Sequence, residues 1–331
     1  MPSVTVFGAG GYAGALAARL IDRHPWFELA AVTARTDAGR RLDDLYPRHR
    51  VPLVLEEPDV ERHGDVDAAL VAYPHGAAAP LVAALRERGV RVVDLSADFR
   101  LGDRAAYEQW YGEHGAPELL GGAAYGLPEL HRDEVTGADL VAVPGCYPTA
   151  TLLALAPLAR AGVIADVVVD AKSGVSGAGR EATEVTHFVS ADENVNPYGV
   201  DGHRHSAEID QELAALGAPV TATFVPHLVP LDQGELVSCY VTPQREIDAA
   251  ELTELYVDAY CDEPFVELAA RPPGVRDVRE TNIARISVHV DRRSGRVLAF
   301  AAIDNLWKGA ASQAVQDLNL MFGRDEGEGI S

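Results

Sequence analysis

The stretch that most restricts this chain is "VTVFGAGGYAGALAARLIDR", residues 4–23. A short β-branched run meets a cluster of glycines and then a helix with apolar periodicity. A strand that enters a helix through glycines leaves the first helical N–H groups open to an anion and lets backbone approach a pyrophosphate. Two registers fit: Gly8-x-Gly10-x-x-Ala13 and Gly8-x-x-Gly11-x-x-Gly14. Glycine turns also serve merely to pack a helix on a strand. The position between the first strand and the first helix is the context that a dinucleotide site requires.

Further apolar strands follow at 28–34, 68–74 and 90–96, with a helix around 77–88. Short strands alternating with helices predict a doubly wound parallel sheet of Rossmann type with right-handed crossovers over the first 147 residues. From "VVVDAKSG" (167–174) the strands lengthen and alternate, at 220–230, 235–243, 284–291 and 296–304. That texture predicts a second, α+β domain with a mixed or antiparallel sheet, residues 148–304. The stretch "KGAASQAVQDLNLMFG" (308–323) reads as an amphipathic helix, and the tail "RDEGEGIS" as frayed.

A formal net charge of −22 argues against nucleic acid as a partner, because phosphate backbones need clustered Lys and Arg. No apolar run approaches a membrane span, and the N-terminus lacks a signal-like segment, so a cytoplasmic protein is expected. Three cysteines without metal-ligand spacing fit a reducing compartment and no metal site.

At the end of the second strand, enzymes that use NAD carry an acid for the ribose hydroxyl. Here the sequence is "VTARTDAGRR": Thr33, Arg35 and Thr36, then Arg40 and Arg41. Hydroxyls and arginines suit a 2′-phosphate, which points to NADP(H). Cys146 lies in "VPGCYPTATLLALAPL" (143–158), where a loop becomes an apolar helix. Pro148 fits the first turn of that helix. A thiol at a helix N-terminus is lowered in pKa, and the free N–H groups could hold an oxyanion. Cys146 is therefore the candidate nucleophile, while Cys239 and Cys261 read as packing residues. An acid/base partner could come from His203 or His205 in "GVDGHRHSAEIDQEL" (199–213), and spacing alone does not choose between them.

Taken together, "GAGGYAG", "DLSADFRL" (94–101), "YGLPEL" (125–130), "PGCYPT" (144–149), "SGVSGAGR" (173–180), "HRHSAEI" (203–209) and "NLWKGAASQAVQ" (305–316) resemble the N-acetyl-γ-glutamyl-phosphate reductases of the aspartate-semialdehyde dehydrogenase-like group. The motifs run in family order along essentially the whole chain. The resemblance implies that Cys146 is the catalytic thiol and His205 the acid/base. It places the cofactor against Gly8, Gly10, Gly11, Tyr12, Ala13, Gly14, Thr33, Arg35, Thr36 and His75. Ser173, Gly174, Gly177 and Asn305 would lie near the nicotinamide. Ser96, Arg100, Arg180 and His203 would bind the substrate, with Arg100 on its phosphate. The last segment, 305–331, would complete the cofactor domain, and the chain would be a homo-oligomer, dimeric or tetrameric.

Two departures stand out. The family usually has Arg where this chain has Gln233 in "PHLVPLDQGE", and often Pro where it has Ala207. The first leaves the exact acyl chain open. The implied chemistry is reductive dephosphorylation of a small-molecule acyl phosphate through a cysteine thioester. Alternatives are the same chemistry on aspartyl phosphate or on a carrier-linked aminoadipyl or glutamyl phosphate, and, in a different class, a non-catalytic NADP-binding regulator.

Overall fold

The computed structural model describes residues 1–330, which divide into two compact units: residues 1–145 with 310–330, and residues 146–309. In the first unit six strands are all parallel: β1 (Ser3–Phe7), β2 (Glu28–Thr33), β3 (Ala68–Val71), β4 (Arg91–Asp94), β5 (Ala124–Tyr125) and β6 (Leu140–Ala142). Their order is β2-β1-β3-β4-β6-β5, a doubly wound sheet. The strands are short and apolar because both faces are covered. Phe7, Val71, Val82, Leu85, Val92 and Phe99 belong to one buried cluster on this sheet.

The second unit holds a seven-stranded sheet. Its strands are β7 (Ile164–Ser173), β8 (Asn196–Pro197), β9 (Thr223–Leu228), β10 (Glu235–Pro243), β11 (Val266–Leu268), β12 (Ala284–Val290) and β13 (Val297–Ile303). The order is β11-β12-β13-β10-β7-β9-β8. β7 runs parallel to β9 and β11 to β12, and the other pairs are antiparallel, so the sheet is mixed. The helix Cys146–Arg160 packs against β10 and β13, and every residue from Tyr147 to Ala159 is buried. Pro157 in that helix has no N–H to offer the carbonyl four residues back. The Tyr260 hydroxyl donates to that carbonyl, of Leu153, at 2.7 Å, so the buried acceptor is not orphaned.

Two expectations about the C-terminus are corrected. The helix Ser312–Met321 is not amphipathic in its surroundings, since all ten of its residues are buried. Its polar side chains are bonded inside the first unit: Gln316 donates to Glu129 at 3.3 Å and Glu326 at 2.8 Å, and Asn319 donates to the carbonyls of Glu326 and Glu328. Those last bonds also hold down residues 324–330 of the tail, which are not frayed; Ser331 lies outside the described residues. Arg324 pairs with Glu328 and lies 4.8 Å over the Trp26 ring, and a His24 ring nitrogen bonds the Glu328 carbonyl at 2.7 Å. Ile330 is buried. A few net hydrogen bonds of this kind contribute about 1–3 kcal/mol in total. Deleting residues from 324 onward should therefore lower the thermal midpoint by roughly 2–10 °C. An unchanged melting curve would show that the tail only rests on the surface.

Candidate active site

In the glycine turn, Gly8 has φ +88°, and a Cβ there would stand 2.4 Å from the Ala72 carbonyl oxygen. A Cβ on Gly14 would stand 2.3 Å from the Gly8 carbonyl oxygen, whereas Gly11 has nothing nearer than 3.7 Å. Gly8 and Gly14 are thus required for the close packing of turn on helix, a Cβ on Gly10 would be tight against Ala34 at 3.2 Å, and Gly11 keeps its surroundings open. The turn uses glycines of both registers. The helix Tyr12–Asp22 starts directly after Gly11 without a side-chain cap. Its first-turn N–H groups, at Tyr12, Ala13 and Gly14, have no intrahelical acceptor, which suits a bound phosphate.

Thr33 is fully buried, and its carbonyl accepts from the N–H groups of Gly8 and Ala9 at 3.0 and 2.9 Å. It shapes the turn through its backbone. Arg35 and Thr36 are exposed beyond it, with the Arg35 guanidinium 5.1 Å over the Tyr73 ring. Asp37, which sequence reasoning passed over, places a carboxylate oxygen 3.2 Å from where a Cβ on Gly10 would be. Arg40 pairs with that carboxylate at 3.0 Å, and Arg41 pairs with Asp43 at 2.7 Å. All three arginines are exposed, and among the described residues Arg35 is the one of them that is not paired with a carboxylate.

The "SADFR" segment is mostly architecture. Asp98 accepts from the N–H groups of Gly76, Ala78 and Ala79 and thereby caps the helix Ala79–Glu87. The Ser96 hydroxyl donates to Asp94 at 2.6 Å and accepts from the Asp98 N–H at 3.0 Å, fully buried. Burial pushes the Asp94 carboxyl up to about 7, against the lowering effect of the Ser96 bonds. Arg100 spends donors on two carbonyls, Val143 at 2.7 Å and Leu95 at 2.9 Å, so its guanidinium is held rigidly. His75 is exposed and accepts the Ala97 N–H on Nδ1 at 3.0 Å.

In the second unit Cys146 is the first residue of its helix and is partly exposed. A Cβ on Gly309 would stand 2.8 Å from the Cys146 Cβ, so only glycine fits opposite the thiol. Cys239 is buried, and burial pushes its thiol far up; Cys261 is exposed at a helix C-terminus and is not a packing residue.

Tyr147 links the thiol to the histidine pair. Its ring lies 5.9 Å from that of His205 and 6.1 Å from that of His203. His205 opens the helix His205–Ala215, and its N–H donates to His203 Nδ1 at 3.2 Å. His203 packs among Tyr147, Tyr198 and Phe224, with Gly199 against its ring edge at a left-handed φ of +57°. Burial, helped by Arg204, pushes His203 down to about 4. Arg180 and Arg204 are exposed.

The "SGVSGAG" loop and Asn305 are brought together. Asn305 accepts from the Gly234 N–H at 2.7 Å and donates to the Ser176 hydroxyl at 3.0 Å. The Gly174 N–H donates to the Gly234 carbonyl at 2.9 Å. Between these groups a Cβ on Gly177 would stand 3.1 Å from the Ser173 hydroxyl. Gln233 is buried beside them, and the neighbouring Asp232 pairs with Arg279.

Comparison with known proteins now decides the family. Residues 3–138 match the semialdehyde dehydrogenase NAD binding domain, and residues 146–305 the semialdehyde dehydrogenase dimerisation domain. An N-acetyl-γ-glutamyl-phosphate reductase of Halorhodospira halophila is 50% identical, over 100% of this chain and 98% of its own. Those of Rubrobacter xylanophilus and Moorella thermoacetica are 48% and 47% identical, over 99% and 97% of this chain and 98% and 95% of theirs. The chain belongs to the N-acetyl-γ-glutamyl-phosphate reductase family. Its fold is that of an aspartate semialdehyde dehydrogenase II from Vibrio cholerae, with TM-score 0.74 at 21% identity over 97% of this chain and 98% of that one. The aspartate semialdehyde dehydrogenase of Candida albicans, solved with NADP, has TM-score 0.72 at 14% identity over 97% of this chain and 98% of that one.

The low proton affinity of His203 has a measurable consequence. A histidine lowered in the fold stays neutral there while its unfolded counterpart, near 6.5, takes up a proton. Its stabilising effect is complete above about pH 6.5 and is lost as pH falls toward about 4. A ¹⁵N-resolved imidazole titration should show His203 neutral at pH 6. A midpoint near 6.5 would contradict the burial argument.

Proposed function

We propose that the chain catalyses NADPH-dependent reduction of N-acetyl-γ-glutamyl phosphate to N-acetylglutamate semialdehyde and phosphate, a step of arginine biosynthesis. The observation that carries this reading is Cys146 at the first position of a long buried helix, opposite a glycine. A helix of this length presents unpaired N–H groups and a partial positive charge at its start. Both favour the thiolate and a carbonyl oxygen that becomes negative beside it.

The Cys146 sulfur attacks the acyl carbon, the C–O bond to phosphate breaks, and a thioester remains on the chain. When bound, NADPH supplies the hydride that takes the acyl group to the aldehyde level. The C–S bond then breaks and the sulfur leaves as thiolate, while the net reaction takes up one proton. His205, fixed at its helix start, moves the proton; His203 is held neutral and accepts the His205 N–H, which makes it a positioning residue. Arg100, whose guanidinium is held by the carbonyls of Val143 and Leu95, would be the cation that receives the leaving phosphate. In the first unit the cradle at Gly8, Gly11 and Gly14 fits the pyrophosphate, and Ser173, Gly174, Gly177 and Asn305 form a rigid wall for the nicotinamide. Around Gln233 a distal carboxylate would meet Arg180, Arg204 or Arg279 in place of the usual arginine.

The second unit would also carry self-association into a dimer or tetramer. Among the described residues no helix is long and apolar enough to cross a membrane, in keeping with a cytoplasmic enzyme acting on a small molecule.

Cys146→Ala should abolish turnover while leaving NADPH affinity unchanged, and His205→Asn should lower kcat by about two to four orders of magnitude. Steady-state rates and nucleotide binding for both variants check this. Near-normal turnover of Cys146→Ala would end the thioester mechanism, and a larger loss for His203→Asn than for His205→Asn would exchange their roles.

Cofactor choice rests on Arg35, since Arg40 and Arg41 are already paired. Arg35→Ala should raise the KM for NADPH on the order of ten-fold with little effect on NADH, by loss of one charge-assisted contact. Equal use of both nucleotides by the unaltered enzyme would refute the assignment.

A further inference from the structure

Glu235 is the first residue of β10 and shares its inward phase with Val237, Cys239 and Val241. Its side chain is fully buried, and neither carboxyl oxygen closes a hydrogen bond of good geometry. An isolated charge in that position would cost several kcal/mol, and even a neutral acid needs a partner. Nearby Asp304 is also buried but accepts from the N–H groups of Glu280, Leu306 and Trp307. Glu235 is therefore the exception among the carboxyls here.

The register shows what it faces. Glu235 stands opposite Ser173 on β7 and opposite Ile303 on β13. A Cβ on Gly309 would touch both the Cys146 Cβ, at 2.8 Å, and the Ile303 side chain, at 3.3 Å. These contacts bring the thiol and the carboxyl to the same place. The Cys146 thiol and the Ser173 hydroxyl are the neighbours near enough to favour the charged carboxylate, and Asp304 opposes it. The hydroxyls of Tyr147 and Tyr198 feel the charge of Glu235 in turn.

We propose that Glu235 is a positioning residue for the Cys146 sulfur: a buried carboxylic acid that shares one proton with the thiol and donates its O–H to the thiolate. The inference rests on Cys146 being the nucleophile. Burial outweighs the lowering by Cys146 and Ser173 and pushes Glu235 up to about 8, which leaves it protonated at neutral pH. The pair then carries one negative charge and one proton between them, and it titrates as a unit. When sulfur bonds to the acyl carbon, the proton stays on the carboxyl. When the C–S bond breaks, the sulfur departs with its electron pair and accepts the same O–H again. No proton is gained or lost at Glu235 over a turnover.

The test is the pH dependence of iodoacetamide alkylation of Cys146 in the intact chain without substrate, read by peptide mapping so that exposed Cys261 is counted separately. The unaltered protein should show two steps, as the pair loses its protons in turn. Glu235→Gln keeps a neutral donor and should show one. Glu235→Leu removes the donor and should move that step up by about one pH unit relative to Glu235→Gln. The same variant should lose roughly ten-fold in kcat with little change in KM for NADPH. Superimposable profiles for the unaltered protein and Glu235→Gln would overturn the proposal, and that comparison stands even if Glu235→Leu does not fold. Failure of the nucleophile assignment looks different: Cys146→Ala would still turn over, whatever the alkylation profiles.

Discussion

The second unit depends on burying one helix on all sides. Cys146–Arg160 lies against β10 and β13 with thirteen consecutive residues, Tyr147 to Ala159, out of water. Each fully buried Leu contributes roughly 1.5–3 kcal/mol, so the helix has little freedom to slide or tilt. Its start is therefore a fixed point, and the sulfur of Cys146 is placed by packing rather than by its own loop. Pro157 within the helix is tolerated because Tyr260 supplies the hydrogen bond that the proline cannot.

That fixed point organises the polar residues of the unit. Gly309 exists as glycine because Cys146 occupies the space of a Cβ, and Tyr147 carries the helix start toward the two histidines. The two histidines differ in environment. His203 is enclosed by aromatic rings and held neutral, whereas His205 sits at a helix start. In the first unit the same logic runs through backbone: Gly8 and Gly14 let the turn close on itself, and Asp98 ties down the helix after β3.

The carboxyls show how burial decides function-related chemistry. Asp94, Asp304 and Glu235 are all raised by burial, yet Asp94 and Asp304 are surrounded by donors and Glu235 is not. A negatively charged carboxylate beside the Cys146 thiol would oppose the thiolate, whereas a neutral acid supports it.

Much of this was legible in local sequence because local chemistry governs it. The glycines after β1, the alternating apolar strands and the loop-to-helix step at Cys146 each report a backbone requirement that neighbouring residues satisfy. The parallel sheet, the mixed sheet and the family motifs follow from such signals. Other features depend on partners distant in the chain. The tail reads as polar and frayed until His24 and Asn319 bond its carbonyls. The last helix reads as amphipathic until Glu129 and Glu326 take up Gln316. Glu235 carried one local signal, an acid in the apolar phase of a strand, but its neighbours come from residues 146 and 173. Sequence by itself determined the alternation of elements, the glycine turn after β1 and the place of Cys146 at a helix start, because periodicity and backbone freedom are properties of neighbouring residues. Only tertiary structure decided which polar groups are buried, which are paired and which face the sulfur, because those energies arise between residues that meet only after the chain has folded.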